Sequence, residues 1–180
     1  MNPFFSIIVP NYNNSKYLYR CIKSVTDQTF KNWELLIIDN NSNDNSLDIV
    51  NSFNDKRVKT ITIKNRGIIA KSRNLGIKSS KGIWLCFLDS DDWWDETKLN
   101  IVYKKIIKTE ADVIVHNEFL FIETESRTGA ETSGCISFTT LKLSEDKSKL
   151  CVVFVGSYKI RPSGMYKASL RSSFVSPNQT

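Results

Sequence analysis

No stretch of this 180-residue sequence is long and apolar enough to span a bilayer. Met1-Asn2-Pro3-Phe4 places no basic region ahead of a hydrophobic run, so no secretory leader is expected. The four cysteines, Cys21, Cys86, Cys135 and Cys151, form no CxxC pair and follow no metal-ligand spacing. Cys86 lies inside an apolar run and reads as a packed thiol. A reducing, cytoplasmic setting is therefore expected. A single histidine, His116, sits on the edge of an apolar strand and reads as structural; no Ser/His/Asp or Cys/His set can be built around it. Neither GxxxxGK[ST] nor GxGxxG occurs, which argues against kinase and dehydrogenase chemistry. No internal repeat or low-complexity tract is visible.

What the chain has is an ordinary globular composition, 41% hydrophobic and 24% charged, in a length that suits one domain with a real core. Its net charge of +6 favours a phosphorylated ligand or an anionic membrane surface. Nucleic acid is not an expected partner.

The most informative stretch is Trp84-Leu85-Cys86-Phe87-Leu88-Asp89-Ser90-Asp91-Asp92. An apolar run too short for a lone helix, with no alternation, reads as a strand buried on both faces. It delivers three carboxylates at its end. Acids packed this closely raise one another's pKa unless a cation sits among them. Oxygen ligands suit Mg or Mn, with phosphate oxygens completing the shell. The competing reading is helix capping, by Asp92 or Asp95 in particular.

Phe5 to Pro10 is the first strand, stopped by the polar turn Pro10-Asn11-Tyr12-Asn13-Asn14. Leu18, Cys21, Ile22 and Val25 then recur at helical spacing, with Ser15 as the N-cap. Trp33 to Ile38 is a second buried strand, halted at Asp39. A short helix carries Leu47, Val50 and Phe53, and Val58 to Ile63 is a third, less buried strand. Ile69, Arg73 and Ile77 share a helix face, so Arg73 points as the apolar residues do. A guanidinium facing the sheet needs an anionic partner, Asp39 or a bound ligand, unless it snorkels to water. Asp95 caps a helix with Leu99, Val102, Tyr103 and Ile106 inward, and Asp112 to Val115 is a fifth strand.

This alternation predicts an α/β fold with a mostly parallel sheet and helices on its faces. Parallel strands ending at Pro10, Asp39 and Asp89 would bring Tyr12, Asp39, Asp89 and Asp91 to one edge, where open α/β sheets bind ligands. Beyond His116 the pattern changes. Phe119 to Ile122 and Leu150 to Val155 are apolar runs without matching helices, which predicts a mixed or antiparallel extension. Residues 172–180 read as a frayed tail.

The fragments Ser6-Ile7-Ile8-Val9-Pro10-Asn11-Tyr12-Asn13, Gln28-Thr29-Phe30, Glu34 to Asp39 with Asn41-Ser42-Asn43-Asp44, Ala70-Lys71-Ser72-Arg73-Asn74-Leu75-Gly76, and Gly82 through Asp89-Ser90-Asp91-Asp92-Trp93 resemble, in order and spacing, the family 2 glycosyltransferases of GT-A fold. The resemblance covers about residues 5 to 115 and thins towards Pro162-Ser163-Gly164-Met165-Tyr166. It implies a nucleotide-diphosphate sugar donor, a UDP-sugar, and a divalent ion, Mn2+ or Mg2+. It would place Pro10 and Tyr12 at the base, with Tyr12 stacking, Asp39 accepting from the base, Arg73 beside it and Asn11 within the nucleotide-sugar site. Asp89-Ser90-Asp91 would be the DxD motif, with Asp91 on the metal and Asp89 leaning to the ribose side; both are metal-ligand candidates.

The resemblance implies inverting transfer to a saccharide or lipid-linked saccharide acceptor in surface polysaccharide assembly. Residues 1–116 would form the donor half and 117–180 a partial acceptor half. The family's general base, often in a Glu-Asp pair, lies beyond the segment matched by Met165 to Leu170. Glu145-Asp146 precedes that place and reads as an ordinary loop, so no base is assigned. Two other readings are a short nucleotide-sugar-binding module without turnover and a sugar nucleotidyltransferase. The last would carry a Gly-rich loop and a basic residue after the first strand, and Pro10 to Asn14 has neither. Contact with the inner membrane face and pairing of two copies through apolar surface complete the expected partners.

Overall fold

The computed structural model describes residues 2–109, 113–119 and 135–142, the last two segments as backbone together with the Ile114 side chain. The chain forms β1 (Phe5–Asn11), α1 (Ser15–Thr26), β2 (Trp33–Asp39), α2 (Ser46–Ser52), β3 (Val58–Thr62), α3 (Ile69–Ser79), β4 (Trp84–Phe87), α4 (Lys98–Lys108), β5 (Val113–Phe119) and β6 (Cys135–Lys142). Among the described residues the sheet has six strands in the order β3-β2-β1-β4-β6-β5. β1 runs parallel to β2 and β4, and β2 runs parallel to β3. β6 is antiparallel to β4 and β5. The expected α/β fold with a mostly parallel sheet and an antiparallel extension is thus present. The strand at Cys135–Lys142 was not foreseen, because its polar Ser-Phe-Thr-Thr centre carries no continuous apolar run.

The central strands are apolar on both faces because both faces are covered. On one face Leu18, Cys21, Ile22 and Val25 of α1, Val50 of α2, and Leu99 and Val102 of α4 pack against Ile7, Val9, Leu35, Ile37 and Cys86. On the other, Ile77 of α3 packs against Ile8, Leu36, Ile38 and Leu85. Close approach of α3 to β1 depends on Gly76: a Cβ there would lie 2.4 Å from Ile8 Cγ2. Two of the apolar helix positions do not reach the core. Leu47 is exposed, and so is Ile69, which opens α3 at the rim of a cleft.

At the start of the sheet, Glu34 is buried opposite Ser6. Its Oε1 accepts from Ser6 Oγ at 2.7 Å and from the Lys81 amide at 2.6 Å, and its Oε2 from Lys59 Nζ at 2.9 Å. Burial opposes ionisation of this carboxyl, but the Lys59 and Ser6 hydrogen bonds outweigh it and hold its pKa below the ordinary glutamate value. Capping also differs from expectation. Ser15 is the first helical residue of α1 and does not cap it; its amide donates to Asp44 Oδ2, 2.8 Å away on the β2–α2 connection. A carboxylate from another loop thus satisfies an orphan amide of α1.

The segments 120–134 and 143–180 lie outside the described residues, as do residues 110–112. With them lie the apolar runs Leu120 to Ile122 and Leu150 to Val155, the Glu145-Asp146 pair, the turn at Arg161 to Gly164 and the helix opening at Met165. The His116 side chain is likewise outside what is described.

Candidate functional site

The chain builds β1, β2 and β3 outward in one direction, then returns to the other side of β1 for β4. The loops leaving β1 and β4 therefore diverge, and a crevice opens between their C-terminal ends, where doubly wound sheets bind ligands. A cleft of about 370 Å3 lies there. Pro10, Asn11, Tyr12 and Asn14 line it from β1 and its following turn, and Asp89, Ser90 and Asp91 from the loop after β4. Asn40, Asn65, Gly67, Ile69 and Ser72 supply the remaining wall. Residues far apart in sequence meet at one sheet edge, as the parallel topology required.

Each expected residue can now be located. Tyr12 projects into solvent at the cleft, 59% exposed, so one ring face is available to a flat ligand. Asp39 is buried and is not among the lining residues; it sits behind Asn11. Its Oδ1 accepts from Asn11 Nδ2 at 2.9 Å and from Ser42 Oγ at 2.6 Å, and its Oδ2 from the Ser42 amide at 2.9 Å. Because the acid accepts from Nδ2, the Asn11 amide is oriented, and its buried Oδ1 is left with no hydrogen-bond partner.

Arg73 does not pair with Asp39. Its guanidinium Nη2 donates to Asp89 Oδ1 at 2.6 Å. The rule that an inward guanidinium needs an anion therefore holds, but the anion is the first acid of the loop. Arg73 is 13% exposed and Asp89 41%, so the cation is the better shielded member. Asp91 is exposed on the cleft. The acids are felt by their neighbours: the Cys21 thiol is pushed far up by burial first, and then by the negative charges of Asp92, Asp91 and Asp89.

Sequence reasoning missed Asn14, whose Nδ2 donates to Ser90 Oγ at 2.8 Å and ties the helix start to the acid loop. It also missed the wall beyond β3. Asn65 takes its place there through its amide, which donates to Asn40 Oδ1 at 2.9 Å, and through Nδ2, which donates to Ser72 Oγ at 2.7 Å. Arg66 and Gly67 follow with φ of 57° and 79°, a left-handed pair that turns the chain into α3. The Asn-Arg-Gly turn was the available signal. Asp95 stands two residues before Thr97, the N-cap of α4, and accepts from the Thr97 amide at 2.9 Å. The Leu99 amide of α4 is instead satisfied by Gln28 Oε1.

Among the described residues, no three acidic, histidine or cysteine side chains group closely enough to hold a metal ion by themselves. The donors that are present are hard oxygens: Asp91, the Asp89 oxygen not held by Arg73, and Ser90. Such a set fits Mg2+ or Mn2+ when a ligand's phosphate oxygens complete the shell.

The sheet order, the crevice at its switch point and the acid loop define a GT-A fold domain. The chain belongs to glycosyl transferase family 2: the model of that family matches residues 6–159. It is 34% identical over 127 residues to glycosyltransferase GlyG of Streptococcus pneumoniae, a match covering 69% of this chain and 42% of GlyG. It is 38% identical over 112 residues to WfgD of Escherichia coli, a UDP-Glc:alpha-D-GlcNAc-diphosphoundecaprenol beta-1,3-glucosyltransferase, covering 62% of this chain and 44% of WfgD. The crystal structure of S. aureus TarS 1–349 in complex with UDP superposes with a TM-score of 0.59 and 32% identity, covering 63% of this chain and 34% of that one. The chain thus spans less than half the length of each of these proteins. No helix among the described residues is long and apolar enough to cross a membrane.

Proposed function

We propose that the protein transfers a sugar from a nucleotide-diphosphate donor, a UDP-sugar, to a hydroxyl of a saccharide or lipid-linked saccharide, with inversion, in surface polysaccharide assembly. The observation that carries this reading is the meeting of Tyr12, Asp89, Ser90 and Asp91 in one cleft, with Arg73 bound to Asp89. The family membership supports it, as do the UDP bound by TarS and the lipid-linked acceptor in the name of WfgD.

In this reading the exposed Tyr12 ring stacks on the base beside Pro10. Asn11 faces the base edge, its amide orientation set by Asp39. Asp89, steadied by Arg73, turns its other oxygen towards the ribose side. Asp91, with Asp89 beside it, would hold Mn2+ or Mg2+ when the donor is bound. A bound divalent ion supplies Lewis-acid neutralisation of the departing nucleotide diphosphate. The acceptor hydroxyl attacks the anomeric carbon as the bond to the diphosphate oxygen breaks, and the hydroxyl proton passes to a general base. One displacement inverts the anomeric centre. Residues 1–116 supply the donor side and 117–180 begin the acceptor side.

Calorimetric titration with UDP, with and without Mn2+, tests the donor site. Micromolar, metal-dependent binding is the expected result, and the absence of any UDP binding overturns the reading. Release of the sugar from UDP-sugars, with or without a saccharide acceptor, then separates transfer from binding alone.

A further inference from the structure

The Gln28-Thr29-Phe30 fragment has no part in the cleft, yet Gln28 is fully buried and makes more polar contacts than a linker requires. Its Nε2 donates to Ser24 O at 2.9 Å and to Asp95 O at 2.6 Å, and its Oε1 accepts from the Leu99 amide at 2.9 Å. The next residue repeats the attachment: the Thr29 amide donates to Glu96 O at 2.8 Å and Thr29 Oγ1 to the same oxygen at 3.1 Å. These contacts hold the far end of the segment 88–97, which carries the acids. The near end is held from the start and middle of α1, by its N-cap Asn14 on Ser90 and by the Cys21 thiol, 3.7 Å from Asp89 O, whereas Gln28 and Thr29 follow the end of that helix. Between the two attachments the loop touches α1 through its tryptophans: the Arg20 guanidinium lies 3.7 Å from the centre of the Trp93 ring, and Trp94 is buried in the core that α1 helps to form. A second cleft of about 360 Å3 opens there, lined by Arg20, Ser24 and Trp94 among others.

We infer that Gln28 is a positioning residue for Asp89 and Asp91: α1 is the template on which the acid loop is stretched, and Gln28 fixes its distal end. The physical case is that every further attachment of a loop of ten residues removes backbone states open to it, and Gln28 supplies a buried one at the far end. A buried amide with both its oxygen and its nitrogen engaged defines that end in position and orientation. Carboxylates that share an ion with a ligand's phosphates depend on such outside supports for their affinity. The inference rests on the reading of the cleft as a nucleotide-diphosphate site.

Gln28→Met keeps the side-chain volume and removes all three hydrogen bonds. The full chain is titrated with UDP with and without Mn2+, and with uridine, beside Val50→Ala. Val50 is buried in α2, away from the loop, and its truncation controls for lost stability. In Gln28→Met the gain in UDP affinity brought by Mn2+ falls about tenfold, uridine affinity stays at the wild-type value, and Val50→Ala keeps the full gain. A wild-type Mn2+ gain in Gln28→Met overturns the inference, and so does an equal loss in both variants. If Gln28→Met does not fold, Gln28→Asn, which withdraws the amide by one methylene, is read in the same way. Wild-type protein that binds UDP without any Mn2+ gain overturns the inference while leaving the donor reading in place, and wild-type protein that binds no UDP overturns both.

Discussion

Arg73 on α3 and Asp89 after β4 are joined by a 2.6 Å charge-assisted hydrogen bond across the mouth of the β1–β4 crevice. The pair links the helix on one face of the sheet to the acid loop supported from the other. It also fixes the direction in which the Asp89 carboxylate faces. Replacing Arg73 with Ala releases Asp89 and removes a cation from the donor side. UDP affinity should fall about tenfold, the worth of one charged hydrogen bond. A dissociation constant equal to wild type in calorimetry would leave Arg73 with a purely structural part.

Asp91 is exposed on the cleft. Asp91→Asn should leave thermal unfolding within about 0.5 kcal/mol of wild type, as surface changes do. The dependence of UDP binding on Mn2+ should disappear. Retained Mn2+-dependent affinity would show that the ion, if bound, is held elsewhere.

Gly76 lets α3 lie against β1. In Gly76→Ala the added methyl meets Ile8 Cγ2 and Cγ1, which belong to a β-branched side chain fixed in the core. Overpacking of this kind costs about 1–3 kcal/mol. Denaturant unfolding measures it. Adding Ile8→Ala should cost less in the Gly76→Ala background than in wild type, because the two changes share one space.

Asp44 gives a pH test. Burial opposes its ionisation, but hydrogen bonds from Ser46 and Ser15 prevail and bring its pKa down from 3.8 to about 2. A carboxyl lowered in the folded state stabilises fully above its unfolded value and loses that contribution as pH falls through the folded one. Asp44 therefore contributes its whole share above about pH 4 and sheds it towards pH 2. Asp44→Asn should be less stable than wild type at pH 7, by about 1 kcal/mol for the lost support of the α1 start. The difference should shrink between pH 4 and pH 2 in thermal unfolding curves. Glu34, lowered by Lys59, Ser6 and the Lys81 amide, adds a loss of the same sign on acidification below the ordinary glutamate range.

Much of the donor half was legible because its signals are local and strong. Leu18, Cys21, Ile22 and Val25 sit at one helix period, and all four are buried. Trp33 to Asp39 is apolar but for two buried acids, Glu34 and Asp39, and every residue of β2 is buried. The inward direction of Arg73 followed from its place between Ile69 and Ile77, although Ile69 itself lies at the rim. The errors have one origin. Helix spacing points to Ser15 as its own helix's cap and leaves Asp39 or a bound ligand as the partner of Arg73, because periodicity says which way a side chain faces and not which loop comes to meet it. Asp44 and Asp89 fill those places, brought by loops from neighbouring strands.

The order of residues alone determined the alternation of strands and helices, the parallel sheet and the identity of the acids, since side-chain periodicity and carboxylate chemistry are properties of short segments. The tertiary structure decided which groups meet. It set Arg73 on Asp89, Asn11 between Asp39 and the cleft, and Gln28 under the far end of the acid loop. These contacts depend on strand order and helix placement, which arise only when both faces of the sheet are covered at once.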